Sequence, residues 1–291
     1  MIPTYCRPRA MRRCLQSLRE QRVDEFDFEV IVVDDGSPEG TYRFLDDYDS
    51  PMLLTRYRID NSGPAAARNA GADRASGEYL LFTDDDCFLP SGFLDRAHQE
   101  IMATPNVAIT GRSRPSEPAN LYACASQDIL DFLHNRCDRG EMAAGFIVTN
   151  NFVIKREAFR AAGAFNESFS FAGGEDREFG TRLVRMGQSA RYAPALVLEH
   201  AFVPGFFTYC SKNFQYGRGA WIYRRFLAQK NGKGMRLERP IFYCTMITWP
   251  LRGGLSMNRV ARTGLVTLAQ IMVLAGFVKE ALVGSRKEKA R

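Results

Sequence analysis

Apolar positions in the first half of the chain follow two alternating patterns. Phe28-Glu-Val-Ile-Val-Val33 and Glu78-Tyr-Leu-Leu-Phe-Thr83 are short, nearly continuous apolar runs, the pattern of strands buried on both faces. Residues 52–57 and 107–110 read as further strands. Between the strands lie segments of helix-forming composition at residues 8–20, 41–48, 64–75 and 91–103, the third closed by Gly77. Met1-Ile-Pro-Thr-Tyr5 reads as the end of a strand whose apolar upstream half is missing, which points to a longer native N-terminus. Strands alternating with helices predict a mostly parallel sheet, whose ligands sit beyond the carboxyl ends of the strands.

Beyond Pro118 the alternation loosens. A helix is expected over residues 120–134, a strand over 146–154, a short helix from Arg156 and another helix over 175–186, followed by Val197-Leu-Glu-His200. From Phe206 to Phe226 aromatic residues interleave with Lys212, Arg218, Arg224 and Arg225. Residues 264–278 are apolar except for Thr267 and Gln270, and these fifteen residues fall short of the roughly 20 that a helix needs to cross a bilayer.

The 291 residues can bury a sizeable α/β core and carry an appendage. The net charge of +6 matters through its distribution, because residues 201–263 hold eleven Lys or Arg and one acidic residue, Glu238. That segment favours anionic surfaces. Nucleic acid is set aside as a partner, since no recognised binding motif accompanies the basic and aromatic residues. A membrane-surface helix or a basic lid over a diphosphate fits the apolar stretch that follows; the plainer reading is a buried helix with snorkelling arginines. The seven cysteines are scattered, without metal-ligand spacing or a secretory signal, and read as reduced cytosolic thiols. Arg286-Lys-Glu-Lys-Ala-Arg291 reads as a solvated tail.

Three acidic groups stand at strand ends or at a helix start: Asp34-Asp35, Asp84-Asp85-Asp86 and Glu175-Asp176. Packed like charges raise each other's pKa unless something positive neutralises them, so such clusters call for a divalent cation or for hydrogen-bond donors from a ligand. Turns favour Asp for backbone capping, which accounts for Asp34-Asp35 equally well. Three successive aspartates after an apolar strand are harder to explain as turn chemistry and form the best metal candidate. Mg²⁺ or Mn²⁺ takes one or two carboxylates together with diphosphate oxygens. His200 could complete that site as a neutral imidazole or be an ordinary hydrogen-bonded histidine at a strand end.

Pro3-Thr-Tyr5, Val32-Val-Asp-Asp-Gly-Ser37, Pro64-Ala-Ala-Ala-Arg-Asn-Ala-Gly71, Gly77-Glu-Tyr-Leu-Leu-Phe-Thr-Asp-Asp-Asp86 and Gly174-Glu-Asp176 occur in the order and spacing found in glycosyltransferase family 2. Over roughly residues 1–200 the chain resembles that family. The resemblance implies a GT-A-type α/β fold, a nucleotide-diphospho-sugar donor and inversion at the anomeric carbon. On that analogy Pro3, Thr4 and Tyr5 line the nucleoside pocket, Asp35 accepts a hydrogen bond from the base, Arg68 approaches the nucleotide, and Asp84 contacts the ribose or base side. Asp85 matches the metal-ligating aspartate, with Asp86 beside it. Asp176 matches the general base that takes the proton from the acceptor hydroxyl, and Glu175 tunes it or bonds the acceptor. Two departures stand out: Cys6 where the family usually has Asn, and Thr83 where many members have a first Asp.

Asn150 and Asn151 are expected on the acceptor side, and Gly173-Gly174 would let a loop approach the sugar without a Cβ in the way, although an ordinary turn explains the glycine pair equally well. The expected architecture is a GT-A-like domain over residues 1–204, a mostly parallel mixed sheet flanked by helices, followed by a basic, aromatic and apolar helical extension over 205–291. The expected activity is an inverting, metal-assisted transfer from a nucleotide-diphospho-sugar, a UDP-sugar favoured, to a glycan, lipid-linked or envelope acceptor. The expected location is the cytoplasm, peripheral at the inner face of the plasma membrane. The alternatives are a catalytically silent scaffold of the same fold that binds nucleotide-sugar or polysaccharide, and, more weakly, a nucleotidyltransferase.

Overall fold

The computed structural model describes residues 1–46, 48, 52–139, 145–169, 173–231 and 238–289. In chain order its elements are β1 (Ile2–Thr4), α1 (Pro8–Arg19), β2 (Glu29–Asp35), a 3-10 turn at Arg43–Leu45, β3 (Leu53–Ile59), α2 (Pro64–Arg74), β4 (Tyr79–Thr83), β5 (Cys87–Phe88) and α3 (Phe93–Ala103). There follow β6 (Ala108–Pro115), α4 (Leu121–Asp138), β7 (Asn151–Lys155), α5 (Arg156–Ala161), α6 (Glu175–Arg185), β8 (Ala190–His200), α7 (Phe206–Asn231), α8 (Pro240–Thr248), a second 3-10 turn at Trp249–Gly253, and α9 (Met257–Lys289). These pack into two compact units.

The first unit comprises the described residues of Met1–Ser116, Gly140–Ser170 and Asp176–Ala201. Here β1, β2 and β3 pair in parallel, and β4, β7, β6, β8 and β5 lie side by side in that order. Met1 joins the two sets, donating its amino group to the Leu81 carbonyl at 2.9 Å and accepting from the Thr83 N–H at 3.1 Å. The expected parallel arrangement holds for β1 to β3 and for β6 with β8, whereas β7 runs antiparallel between β4 and β6, and β5 antiparallel to β8. The sheet is mixed, with helices on both faces.

The continuous apolar run of β2 follows from this double burial. Val30 and Val32 face one core with Met11, Leu15 and Leu18 of α1 and Phe93 and Ile101 of α3. Ile31 and Val33 face the other, with Ala65, Ala67 and Ala72 of α2, and with Phe159 and Phe179 from α5 and α6. The second core is built around rings, with Phe82, Phe152, Phe159, Phe165 and Phe179 at centroid separations between 4.9 and 6.2 Å.

Two expected elements come out shorter. The helix expected over 41–48 is, among the described residues, only the 3-10 turn, because buried Tyr42 and Leu45 stand three apart, a spacing one such turn satisfies. The strand expected over 146–154 begins only at Asn151, whose N–H closes a turn onto the Val148 carbonyl at 3.1 Å before pairing with β4 starts.

The second unit comprises the described residues of Glu117–Arg139, Phe171–Glu175 and Phe202–Arg291. Its main contact is between α7 and α9, which approach so closely that a Cβ on Gly217 would meet the Val273 carbonyl and one on Gly276 the Phe214 carbonyl. Tyr209, fully buried on α7, donates its hydroxyl to the Leu265 carbonyl at 2.9 Å. Arg262 of α9 pairs with Asp128 of α4 at 2.9 Å, and Phe132 packs edge-on against Phe242 and Trp249. The expectation of an apolar stretch too short to span a bilayer is corrected here. The helix carries the run outward on both sides, and its segment Met257–Val283, 27 residues whose most apolar 18-residue window has a mean hydropathy of 1.7, is long and apolar enough to cross a membrane by length and composition. The tail expected at 286–291 ends outside the described residues.

Candidate active site

The carboxyl ends of β1, β2 and β4 bring Thr4, Asp34, Asp35 and Asp84–Asp86 together at one edge of the first unit, with Thr4 in register with Asp34. The turn after β2 depends on Gly36, which has φ +78°; a Cβ there would stand 2.6 Å from the Asn61 backbone nitrogen. This approach lets the loop after β3 fold over Asp35. The Ser62 N–H donates to Asp35 Oδ1 at 2.7 Å and the Gly63 N–H to Asp35 Oδ2 at 3.0 Å, and the carboxylate is buried. Asp34 does turn work, accepting from the Ser37 N–H at 3.0 Å.

The aspartates after β4 are held by two arginines. Arg68, a buried residue of α2, donates Nη2 to Asp84 Oδ1 at 2.8 Å. Arg7 Nη1 bridges two carboxylates, bonding Asp85 Oδ1 at 3.0 Å and Asp86 Oδ2 at 2.8 Å. Asp85 Oδ2 accepts from the Thr4 hydroxyl at 2.5 Å, and Asp86 Oδ1 lies 3.3 Å from His200 Nε2. Desolvation pushes the Asp85 carboxyl up to about 6, with Asp86 and Asp84 adding to the rise and Arg7 and the Thr4 hydroxyl opposing it.

These residues suit a hard divalent cation. Asp86, Cys87 and His200 bring their ligand atoms within 4.8 Å of one another. The Cys87 thiol, however, is packed in the first core and burial drives its pKa well up, so it stays protonated and is the poorest donor of the group. Asp85 lies outside that trio, and one Arg7 nitrogen joins it to Asp86. Two carboxylates and one imidazole are an oxygen-rich set of the kind that Mg²⁺ or Mn²⁺ accepts.

Asp176 lies in the first turn of α6, half-buried, with Oδ1 accepting from the Arg177 N–H at 2.7 Å. Desolvation raises its pKa, while the charges of Arg177 and Arg68 lower it. Arg68 therefore acts electrostatically on both Asp84 and Asp176. The result is a group of three adjacent carboxylates and, within range of the same guanidinium, a separate one whose proton affinity is raised.

The sequence model of the family described as Glycosyl transferase family 2 matches residues 1–163, more than half of the chain. The chain belongs to that family. Among relatives, it is similar to the Staphylococcus aureus poly(ribitol-phosphate) beta-N-acetylglucosaminyltransferase TarS, 28% identical over 124 residues, 40% of this chain and 22% of TarS. It is also similar to the Escherichia coli chondroitin synthase, 28% identical over 248 residues, 70% of this chain and 34% of the synthase. The chain thus spans about a fifth to a third of the length of these curated relatives. Its fold is like that of the Pyrobaculum calidifontis mannosyltransferase PcManGT, solved with GDP-Man and Mn²⁺, with a TM-score of 0.65 at 20% identity over 96% of this chain and 85% of that one. The GT-A-like fold expected from the family-2 motifs is the fold found.

The remaining expected residues of this family-2 chain fall in several places. Pro3 is half-buried in β1, and Tyr5 projects 49% exposed beyond it. Asn150 Oδ1 accepts from the Ser113 hydroxyl at 3.0 Å. Asn151 is fully buried, donating Nδ2 to the Arg112 carbonyl at 3.1 Å and the Leu196 carbonyl at 3.0 Å, where β8 runs three residues ahead of β6 in register between Gly111 and Arg112. Gly173, Gly174 and Glu175 belong to the second unit. Both glycines have positive φ, a Cβ on Gly173 would stand 2.9 Å from the Tyr216 ring, and the buried Glu175 accepts from the Gly173 N–H at 2.8 Å.

Sequence reasoning overlooked Arg7 and Tyr42. Arg7 stands before Pro8 and reads as the start of a helix, yet its side chain joins two aspartates nearly eighty residues away. Tyr42, whose hydroxyl lies 2.7 Å from Thr4 Oγ1 and accepts from the Arg7 N–H at 3.0 Å, carried no signal beyond its place in an expected helix.

Proposed function

We propose that this chain is an inverting glycosyltransferase that moves a sugar from a nucleotide-diphospho-sugar, a UDP-sugar favoured, to a hydroxyl of a glycan, lipid-linked or envelope acceptor. The observation that carries the reading is the convergence of Asp84, Asp85 and Asp86 at the strand ends, with Asp176 a separate carboxylate within range of Arg68. In this reading Pro3, Thr4, Tyr5 and Asp35 receive the nucleoside, and Arg68 with Asp84 orients the nucleotide. Asp85, Asp86 and His200 hold Mn²⁺ or Mg²⁺, which supplies charge stabilisation at the leaving diphosphate. Mn²⁺ beside GDP-Man in PcManGT supports this choice of ion.

Asp176 takes the proton of the acceptor hydroxyl as that oxygen attacks the anomeric carbon from the face opposite the diphosphate. Desolvation, opposed by the charges of Arg177 and Arg68, raises the proton affinity of Asp176, which suits a base for this step. Asn150 is assigned to the acceptor side.

We assign residues 1–204 to the catalytic domain and 205–291 to a helical extension that meets anionic membrane at its cytoplasmic face. The support is α9, whose Ile271, Leu274, Val278 and Leu282 are exposed at helical spacing, together with the excess of basic residues in 201–263. The test of the donor site is calorimetric titration with UDP, GDP and dTDP, each with and without Mn²⁺. Metal-dependent binding of one of them is expected; equal binding of any of them with and without the ion refutes the metal role.

A further inference from the structure

All four oxygens of Asp85 and Asp86 face polar partners: the Thr4 hydroxyl, His200 Nε2 and, twice, one nitrogen of Arg7. A single guanidinium nitrogen, 3.0 and 2.8 Å from two different carboxylates, places the positive charge of Arg7 between the two aspartates that would hold the cation. The anchoring of Arg7 is uneven. Its backbone is fixed, with the N–H on Tyr42 and the carbonyl accepting from the Met11 N–H at the head of α1. Its side chain is half exposed, at 52%, so the guanidinium can swing away from the aspartates by rotamer changes alone, into water or onto an incoming anion.

We infer that Arg7 is the built-in counter-cation of this site, displaced when the divalent cation enters and re-paired on the donor's diphosphate, so that metal and nucleotide bind as a coupled pair. The inference rests on the metal and diphosphate reading given above. Its physical basis is charge balance. A cation entering alone must break both Arg7 pairs and leave the guanidinium without an anion. A cation entering with a diphosphate supplies that anion, since Arg pairs bidentately with phosphate as it does with carboxylate. Thr4 stays on Asp85 throughout as a positioning residue.

The experiment is Mn²⁺ binding to the full chain at pH 8, read by the electron paramagnetic resonance signal of free Mn²⁺, with and without UDP, GDP or dTDP. Wild type is compared with Arg7→Gln and Arg7→Lys. Arg7→Gln should bind Mn²⁺ alone about tenfold more tightly, a change of about 1.4 kcal/mol. The factor by which nucleotide improves Mn²⁺ affinity should shrink correspondingly. Arg7→Lys, which keeps the charge without the planar fork, should show a smaller gain of about threefold and covers the case in which the Gln variant does not fold. If wild type binds Mn²⁺ with nucleotide but neither variant gains affinity for the metal alone, the inference is overturned and the metal site stands. If wild type binds no Mn²⁺ with UDP, GDP or dTDP while remaining folded, the metal reading and this inference fall together.

Discussion

Asp35 clamps the loop after β3, and the proposed function gives it a second role in receiving the nucleoside; Asp35→Asn tests both. Its carboxylate accepts two backbone N–H groups, Ser62 at 2.7 Å and Gly63 at 3.0 Å, one on each oxygen. The Asn side chain keeps one acceptor and turns the other into a donor, so one of the two N–H groups faces an NH₂ in a buried setting. Hydrogen bonds to a charged group contribute about 1.5–3 kcal/mol each, so the substitution should cost about 2 kcal/mol. For a chain of this size that corresponds to a fall in melting temperature of about 4–8 °C. Asp34→Asn is the matched control, since Asp34 accepts a single N–H, from Ser37, and is half-buried; its cost should be about 1 kcal/mol or less. Thermal unfolding followed by circular dichroism reads both, and UDP and GDP titration below the transition reads the pocket. An Asp35→Asn variant that melts within about 1 °C of wild type, or above Asp34→Asn, would refute the argument that this carboxylate clamps the loop.

Four further outcomes are expected. Asp176→Asn should lower sugar transfer by about 10²–10⁴-fold, the usual contribution of a general base, with nucleotide affinity unchanged; a variant keeping more than about a tenth of the activity removes Asp176 from that role. Because desolvation lifts Asp85 to about 6, metal uptake in the presence of nucleotide should be level above that pH and weaken as pH falls through it, the carboxylate being ionised above its folded pKa and protonated below. Mn²⁺ titration between pH 5 and 8 checks this, and a flat profile contradicts it. Gly217→Ala should destabilise the α7 and α9 pair by about 1–3 kcal/mol, since the new methyl presses on the Val273 carbonyl; calorimetric unfolding of the second unit is the readout. Ile271→Glu with Leu274→Glu, both more than half exposed, should leave melting unchanged and reduce cosedimentation with anionic vesicles; undiminished cosedimentation removes α9 from the membrane reading.

The sequence by itself determined the strand and helix alternation, since burial on both faces of β2 demands Val30 to Val33 without a polar break, and the aspartates of 84–86 follow an apolar strand whatever its neighbours are. It also carried the family, because five short motifs in order describe one kind of strand-end site. The tertiary structure alone decided how those carboxylates are neutralised. Arg7 and Thr4 meet Asp85 only because β1 lies beside β4, through Met1, and no local pattern encodes a contact nearly eighty residues away. Asn151, expected on the acceptor side, is turned into the sheet, because the register shift between β6 and β8 leaves the Arg112 and Leu196 carbonyls in need of a buried donor. The reach of α9 was likewise hidden, since an apolar window stops at Lys279 and Glu280 while the helix continues through them, with Glu280 held by Arg218 at 2.6 Å. Periodicity reports which faces are buried; which charge meets which is set by the sheet order, and that is a property of the folded chain.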